Sequence, residues 1–221
     1  MVVLTLPPVE DPEAPAAARA PLVLAVPRDH QPYAGDWSLP GGLVGADEGL
    51  ETAVSRVLAD LARDSHAQIL AEPRHLEQLE TFGAPGRDPR GRVVSVSYLA
   101  LLGAPVPLTG RAAWQPATAP PPLAFDHATI LASALDRLRA KLSYSTVAYG
   151  LLADSFTLSE LQGVYEAVLG RTIDKRNFRR KLAALELLEE TGGQRRGPHR
   201  PASLYRFASG GLVLLDDVIT T

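Results

Sequence analysis

The sequence predicts an α/β (α+β) domain followed by a small unit of two helices and a β-hairpin. Three features point there: a helical apolar pattern between two strand-like runs, a proline-dense break near residue 120, and a change of charge sign between the two halves. The 221 residues are 46% hydrophobic and 21% charged, which supplies one large or two small cores and excludes a collagen-like, coiled-coil or wholly disordered chain. With no cysteine there is no disulfide scaffold, thiolate metal site or cysteine nucleophile. The formal net charge of -3 taken alone argues against a nucleic-acid partner.

Residues 1–20 carry four prolines, several acids and an alanine run without periodicity, and read as a disordered tail. They lack a basic leader region, and the apolar stretch 21–27 is too short for a membrane span, so a cytoplasmic chain with no membrane partner is expected. Ordered structure is expected from Pro21. Residues 22–26 have the length and composition of a strand, as does 91–102 with Val93, Val94, Val96 and Tyr98. Between them Leu50, Ala53, Val54, Val57, Leu58 and Leu61 recur at helical spacing.

Prolines at 116, 120, 121 and 122 break the chain, because proline removes backbone donors that a helix or central strand needs. Residues 126–142 then form an amphipathic pattern, with Ile130, Leu131, Ala134, Leu135 and Leu138 opposite Arg137, Arg139 and Lys141, read as a connecting helix over 126–145. Thr157-Leu158-Ser159-Glu160 fits a capping box ahead of Leu161, Val164, Tyr165 and Val168, and Gly170 ends that helix. A second helix is expected from near Asp174 to Leu185. Residues 187–191 and 203–207 read as short strands around a Gly- and Arg-rich loop. Helix, helix, strand, basic loop, strand is the order of a winged helix, here over 146–208, with 209–221 as a tail.

The stretch Trp37-Ser38-Leu39-Pro40-Gly41-Gly42, followed by a helix containing Arg56, resembles the Nudix box. Gly42, Glu48 and Arg56 fall on its first three anchors and Leu58 on its aliphatic position. Val57, Asp60 and Leu61 stand where the box carries glutamates, and Arg63 replaces its closing glycine. Positions 57, 60 and 61 share one helix face, so the parent motif gathers three carboxylates around divalent cations, and here one remains. The resemblance implies a Nudix fold over 21–125, a mixed sheet with helices, whose hydrolysis is impaired or absent; no metal ligand and no required cofactor are assigned.

A fold that keeps its pocket while losing its cage suggests a sensor. The segment from Leu76 to Tyr98, with Arg87-Asp88-Pro89-Arg90-Gly91-Arg92, resembles the ADP-ribose-handling Nudix branch. Arg87, Arg90 and Arg92 offer forks to a diphosphate, and Phe82 or Tyr98 a stacking face for adenine. With Trp37, Gly41, Gly42, Glu48 and Arg56 they make the candidate ligand site; without the resemblance the segment reads as a solvated loop before a buried strand. Leu123-Ala124-Phe125-Asp126-His127 is also similar to that family at the domain junction, with His127 read as a helix-start residue.

In the C-terminal unit, Lys175, Arg176, Asn177, Arg179, Arg180 and Lys181 crowd one short helix while Phe178 and Leu182 face inward. Arginine can fork onto guanine, asparagine can pair with adenine, and other cations meet phosphate, so this is built as a recognition helix. Arg195, Arg196, His199 and Arg200 would form the wing. Residues 141–208 hold 11 Lys or Arg against 7 Asp or Glu, net +4, while residues 1–140 hold 11 against 16, net -5. The even average conceals a basic reader attached to an acidic domain.

The combination is similar to the Nudix-related transcriptional regulators of bacterial NAD metabolism. It implies a homodimer that binds a palindromic double-stranded operator, represses NAD-metabolism genes and responds to ADP-ribose or a related nucleotide as effector. Two readings compete: an active Nudix hydrolase cleaving ADP-ribose, with a C-terminal dimerisation domain, and a DNA-binding protein without effector.

Overall fold

The computed structural model describes residues 1–7, 19–196 and 201–215. Among these residues six strands form one mixed sheet: β1 (Val2–Thr5), β2 (Leu22–Pro27), β3 (Trp37–Ser38), β4 (His75–Phe82), β5 (Ser95–Leu101) and β6 (Ala113–Pro116). Their order is β3-β2-β1-β5-β4, with β6 also on β2; β1 runs parallel to β5 and antiparallel to β2.

Alternation along the strands decides which helix each residue meets. Val3, Leu24, Tyr98, Ala100 and Leu102 pack with Val54, Leu58 and Leu61 of α1 (Leu50–Asp64). Val2, Leu4, Val23, Leu99 and Leu101 pack with Ile130, Leu131, Ala134, Leu135, Leu138 and Leu142 of α2 (His127–Tyr144). The sheet is therefore covered on both faces. α2 leads into the second unit, and its apolar stripe is also half of the α/β core, which the reading of it as a connecting helix leaves out.

Two further expectations are corrected. Val2–Thr5 is no tail but a central strand, each residue fully buried, paired at Val3 with Ala100 and at Leu4 with Val23. A strand covered on both faces shows no alternation, and four apolar or β-branched residues ahead of Pro7 were outweighed by the tail-like composition after them. Residues 8–18 lie outside the described residues. At the other end, Thr146 N–H donates to Val213 O (3.0 Å) and Leu215 N–H to Tyr144 O (2.8 Å), so part of the expected 209–221 tail closes over the end of α2. The strands β4 and β6 were also unexpected; β4 is an edge strand with a bulge between Gln78 and Glu80.

Beyond α2, α3 (Leu158–Leu169), α4 (Lys175–Ala184), β7 (Leu188–Arg195) and β8 (Ala202–Phe207) follow the predicted order. The capping box is complete: Glu160 N–H donates to Thr157 Oγ1 (3.2 Å) and Thr157 N–H to Glu160 Oε2 (2.7 Å). Gly170 ends α3 at φ +66°, a conformation that costs glycine nothing. Tyr165 and Phe178 meet edge-on at 5.1 Å between α3 and α4. Phe156 exchanges both backbone hydrogen bonds with Tyr205, adding a third short pairing to the hairpin.

The two units share one continuous apolar core, since Leu138 and Leu142 join Val147, Leu151, Leu161 and Val164. A short 3-10 turn, Val147–Leu151, lies where they meet. Gly150 belongs there because a Cβ would come within 3.0 Å of both Leu101 and His75. No helix among the described residues is long and apolar enough to cross a membrane.

Candidate functional site

A cavity of about 550 Å³ opens on the α1 side of the sheet, walled by α1, the loop after β3, β5, the segment 87–94 and the first residues of α2. Gly41, Gly42, Arg56, Arg87, Arg90 and Tyr98 of the ten candidates line it. The other four candidates do not. Trp37 sets the backbone, donating N–H to Pro122 O (3.0 Å) and accepting from Ala124 N–H (2.7 Å). Phe82 packs into the α2-side core, and Arg92 donates to Gly83 O at 2.6 Å.

Glu48 accepts two hydrogen bonds from Arg56 (2.5 and 3.1 Å) and one from Gly45 N–H (2.7 Å), while Arg56 also holds Leu43 O (2.9 Å). The Arg56 guanidinium keeps the Glu48 carboxyl below its usual range. This pair braces the loop 42–48 and leaves Glu48 outside the cavity wall. Asp60 bonds Arg63 (2.9 Å), and Leu61 belongs to the core. Among the described residues no three His, Cys, Asp or Glu are placed to hold a metal ion. The residues present therefore do not fit the cation cage that the Nudix resemblance implies.

Sequence reasoning missed the mouth of the cavity. The ring of Phe125 lies under the guanidinium carbons of Arg28 (4.7 Å) and Arg90 (5.5 Å), with Tyr33 edge-on at 4.8 Å. Such stacking is a cation–π arrangement. Arg28 and Tyr33 come from the β2–β3 hairpin, closed by Arg28 N–H to Asp36 O and Gly35 N–H to Arg28 O, both 2.9 Å. The Leu123–His127 motif marked the place, but its contact with Arg28 exists only after folding. Asp88 accepts both guanidinium hydrogen bonds of Arg90 (2.6 and 2.9 Å) and is held down to about 2 by them.

His127 Nδ1 accepts from Leu39 N–H at 3.0 Å, tying the loop after β3 to α2. Burial, reinforced by the N-terminal amino group and then by Arg87 and Arg28 and opposed by Asp126, lowers its pKa to about 4, so the ring is neutral. The unfolded chain, with a histidine pKa near 6.5, binds the proton first. Stability is full above pH 6.5 and falls toward pH 4 by roughly 3 kcal/mol. Thermal melting of His127→Asn, whose amide oxygen can still accept from Leu39, is expected to be flatter than wild type over that window; parallel curves would refute the assignment.

At the other end of the molecule, α4 is capped by Asp174, which accepts from Asn177 N–H at 2.7 Å. Phe178 and Leu182 are buried. Lys175, Arg176, Arg179 and Arg180 are exposed, and among the described residues the first three form no ion pair. Arg180 donates to Asn177 Oδ1 (2.5 Å), so these two predicted base readers engage each other; Lys181 is half-buried. Arg195 turns back to Glu160 and to Ser155 O (3.3 Å), bracing the wing on α3, whereas Arg196 is exposed. His199 and Arg200 lie outside the described residues.

An arginine-lined cavity on a Nudix-like sandwich, joined through one helix to a winged helix with a cationic face, defines a transcriptional regulator with a small-molecule domain. Residues 148–207 match the model of the NrtR DNA-binding winged helix domain. The chain is 32% identical over 197 residues to the ADPR-responsive transcriptional repressor NtrR of Acinetobacter baylyi, covering 84% of this chain and 75% of that protein. The structure of Shewanella oneidensis NrtR complexed with a 27mer DNA is 33% identical, covers 98% of this chain and 97% of its own, and superposes with a TM-score of 0.79. A MutT/nudix family protein from Enterococcus faecalis is 26% identical over 94% of this chain and 86% of its own, with a TM-score of 0.71. The chain belongs to the NrtR family of transcriptional regulators.

Proposed function

We propose that this protein is a repressor of NAD-metabolism genes that binds a palindromic operator as a homodimer and senses ADP-ribose in the cavity. One observation carries the reading: Phe125 just before α2, and His127 and Ile130 in its first turn, form part of the cavity wall, while Arg139 in its last turns donates to Val168 O of α3 at 3.2 Å. The same helix therefore touches both the ligand space and the reader. A volume of 550 Å³ suits a nucleotide-sized ligand. Arginine forks suit its diphosphate, and aromatic faces suit its base.

Hydrolysis is not part of this reading, because Glu48 is engaged by Arg56 and Leu61 is buried. One observation favours the hydrolase alternative: Asp60 and Asp64, one turn apart, both border the cavity. Two carboxylates without further ligands are a poor metal cage.

The test is a mobility-shift titration of the full-length protein on a fragment selected from its own genome, with and without ADP-ribose, beside a magnesium-dependent hydrolysis assay. A change of tenfold or more in DNA affinity, with no AMP released, is expected. Unchanged affinity at saturating ADP-ribose would remove the sensor, and turnover abolished by Glu48→Gln and Asp60→Asn would establish the hydrolase.

A further inference from the structure

Three features coincide at the start of α2. Arg87, its side chain 7% exposed, places both arms of its fork on Asp126: Nε to Oδ2 at 2.8 Å and the terminal nitrogen to Oδ1 at 2.6 Å. Asp126 occupies the N-cap position of α2 yet its carboxylate caps nothing, and its backbone sits at φ -94°, ψ +20°. Phe125 before it is held at φ +57°, the left-handed region that a bulky side chain avoids.

The same chain shows what a relaxed cap looks like. Thr157 at α3 has ψ +158° and Asp174 at α4 ψ +114°, and each accepts a hydrogen bond from the N–H three residues on. Aspartate is among the best N-cap residues because its oxygen satisfies an orphan donor of the first turn. At α2 that preference is overridden by Arg87, and the donors of the first turn are left without it.

We propose that the Arg87–Asp126 pair is the latch by which an anionic ligand in the cavity reaches the winged helix. Arg87 lines the cavity, so a phosphate entering it competes with Asp126 for the same two-pronged contact. Once the phosphate takes the fork, the Asp126 carboxylate is free to cap α2, Phe125 can leave its strained conformation, and the helix start resets. That change travels along α2 to Leu138 and Leu142, which share a core with Leu161 and Val164 of α3. The ligand shifts the equilibrium because it binds better to the unlatched state than to the latched one.

This inference rests on the ADP-ribose reading above and is tested separately from it. Asp126→Asn keeps the shape and can still cap, but cannot hold Arg87 by charge. In the full-length protein it is expected to bind ADP-ribose at least tenfold more tightly by calorimetry. Without nucleotide its DNA affinity should equal that of ADP-ribose-saturated wild type. Asp126→Ser, a strong cap without charge, should shift DNA affinity in the same direction, and thermal melting confirms that both fold. If wild type responds to ADP-ribose while both variants keep the nucleotide-free wild-type DNA affinity, the latch is overturned and the sensor stands. If wild type does not respond, the sensor reading falls, and the latch with it.

Discussion

Replacing Arg176 and Arg179 together by alanine should lower DNA affinity by two orders of magnitude or more and leave the melting temperature almost unchanged. Both side chains are exposed on α4, three positions apart on one face, while Phe178 between them anchors the helix in the core. Neither is engaged by a carboxylate among the described residues, so each is free to meet phosphate or base. A base contact is worth about 1–3 kcal/mol, and a phosphate contact steepens the salt dependence by about one unit of slope. Anisotropy titrations at several salt concentrations separate the two: a base reader relaxes one operator position, a backbone contact flattens the slope. Surface substitutions of this kind usually change stability by less than about 0.5 kcal/mol. Arg180→Ala should cost less, because that guanidinium is already bonded to Asn177. Wild-type affinity and slope in the double variant would place the DNA interface on another surface.

The reader was legible because a winged helix is built from local signals. The capping box at Thr157, the αL stop at Gly170 and the Asp174 cap each act within a few residues, and all three recur in the structure. The cavity was legible only where a motif ran along one segment, as with Gly41, Gly42 and Arg56. Its mouth joins residues distant in sequence: Phe125 finds Arg28 because Trp37 hydrogen-bonds to both sides of Leu123, a pairing no periodicity encodes. Val2–Thr5 was hidden for a different reason. A strand at the centre of a covered sheet needs only apolar residues, so its four-residue run carries no pattern to separate it from a tail. Glu48 shows the opposite failure. Its motif position was read correctly, but its carboxylate is engaged by Arg56, a commitment that appears only in three dimensions.

The largest expected change in stability lies at Glu77, which joins the two units. Its carboxylate on β4 accepts from Lys141 Nζ of α2, bonds His75 Nε2 at 3.1 Å and lies 3.5 Å from the Arg137 guanidinium. His75 in turn bonds the Tyr149 hydroxyl at 3.0 Å, on the turn that begins the winged-helix unit. Burial alone would raise the Glu77 pKa, but the hydrogen bonds from His75 and Lys141 outweigh it and bring the carboxyl down to about 2. The folded state therefore binds this proton less readily than the unfolded chain. The pair contributes fully above about pH 4.5 and is lost as the pH falls toward 2, a span worth roughly 3 kcal/mol. Glu77→Gln leaves Lys141 buried without its counter-charge, for which removal of one partner costs about 3–5 kcal/mol. A drop in melting temperature of roughly 6–20 °C at pH 7 follows from the size of the chain. As the pH falls from about 4.5 toward 2 the variant and wild type should converge, because protonation removes the same charge. Glu77→Leu combined with Lys141→Met should recover most of the loss, since an apolar pair of similar volume avoids desolvating two ions. Equal melting of Glu77→Gln and wild type at pH 7 would show that the cluster does not hold the units together.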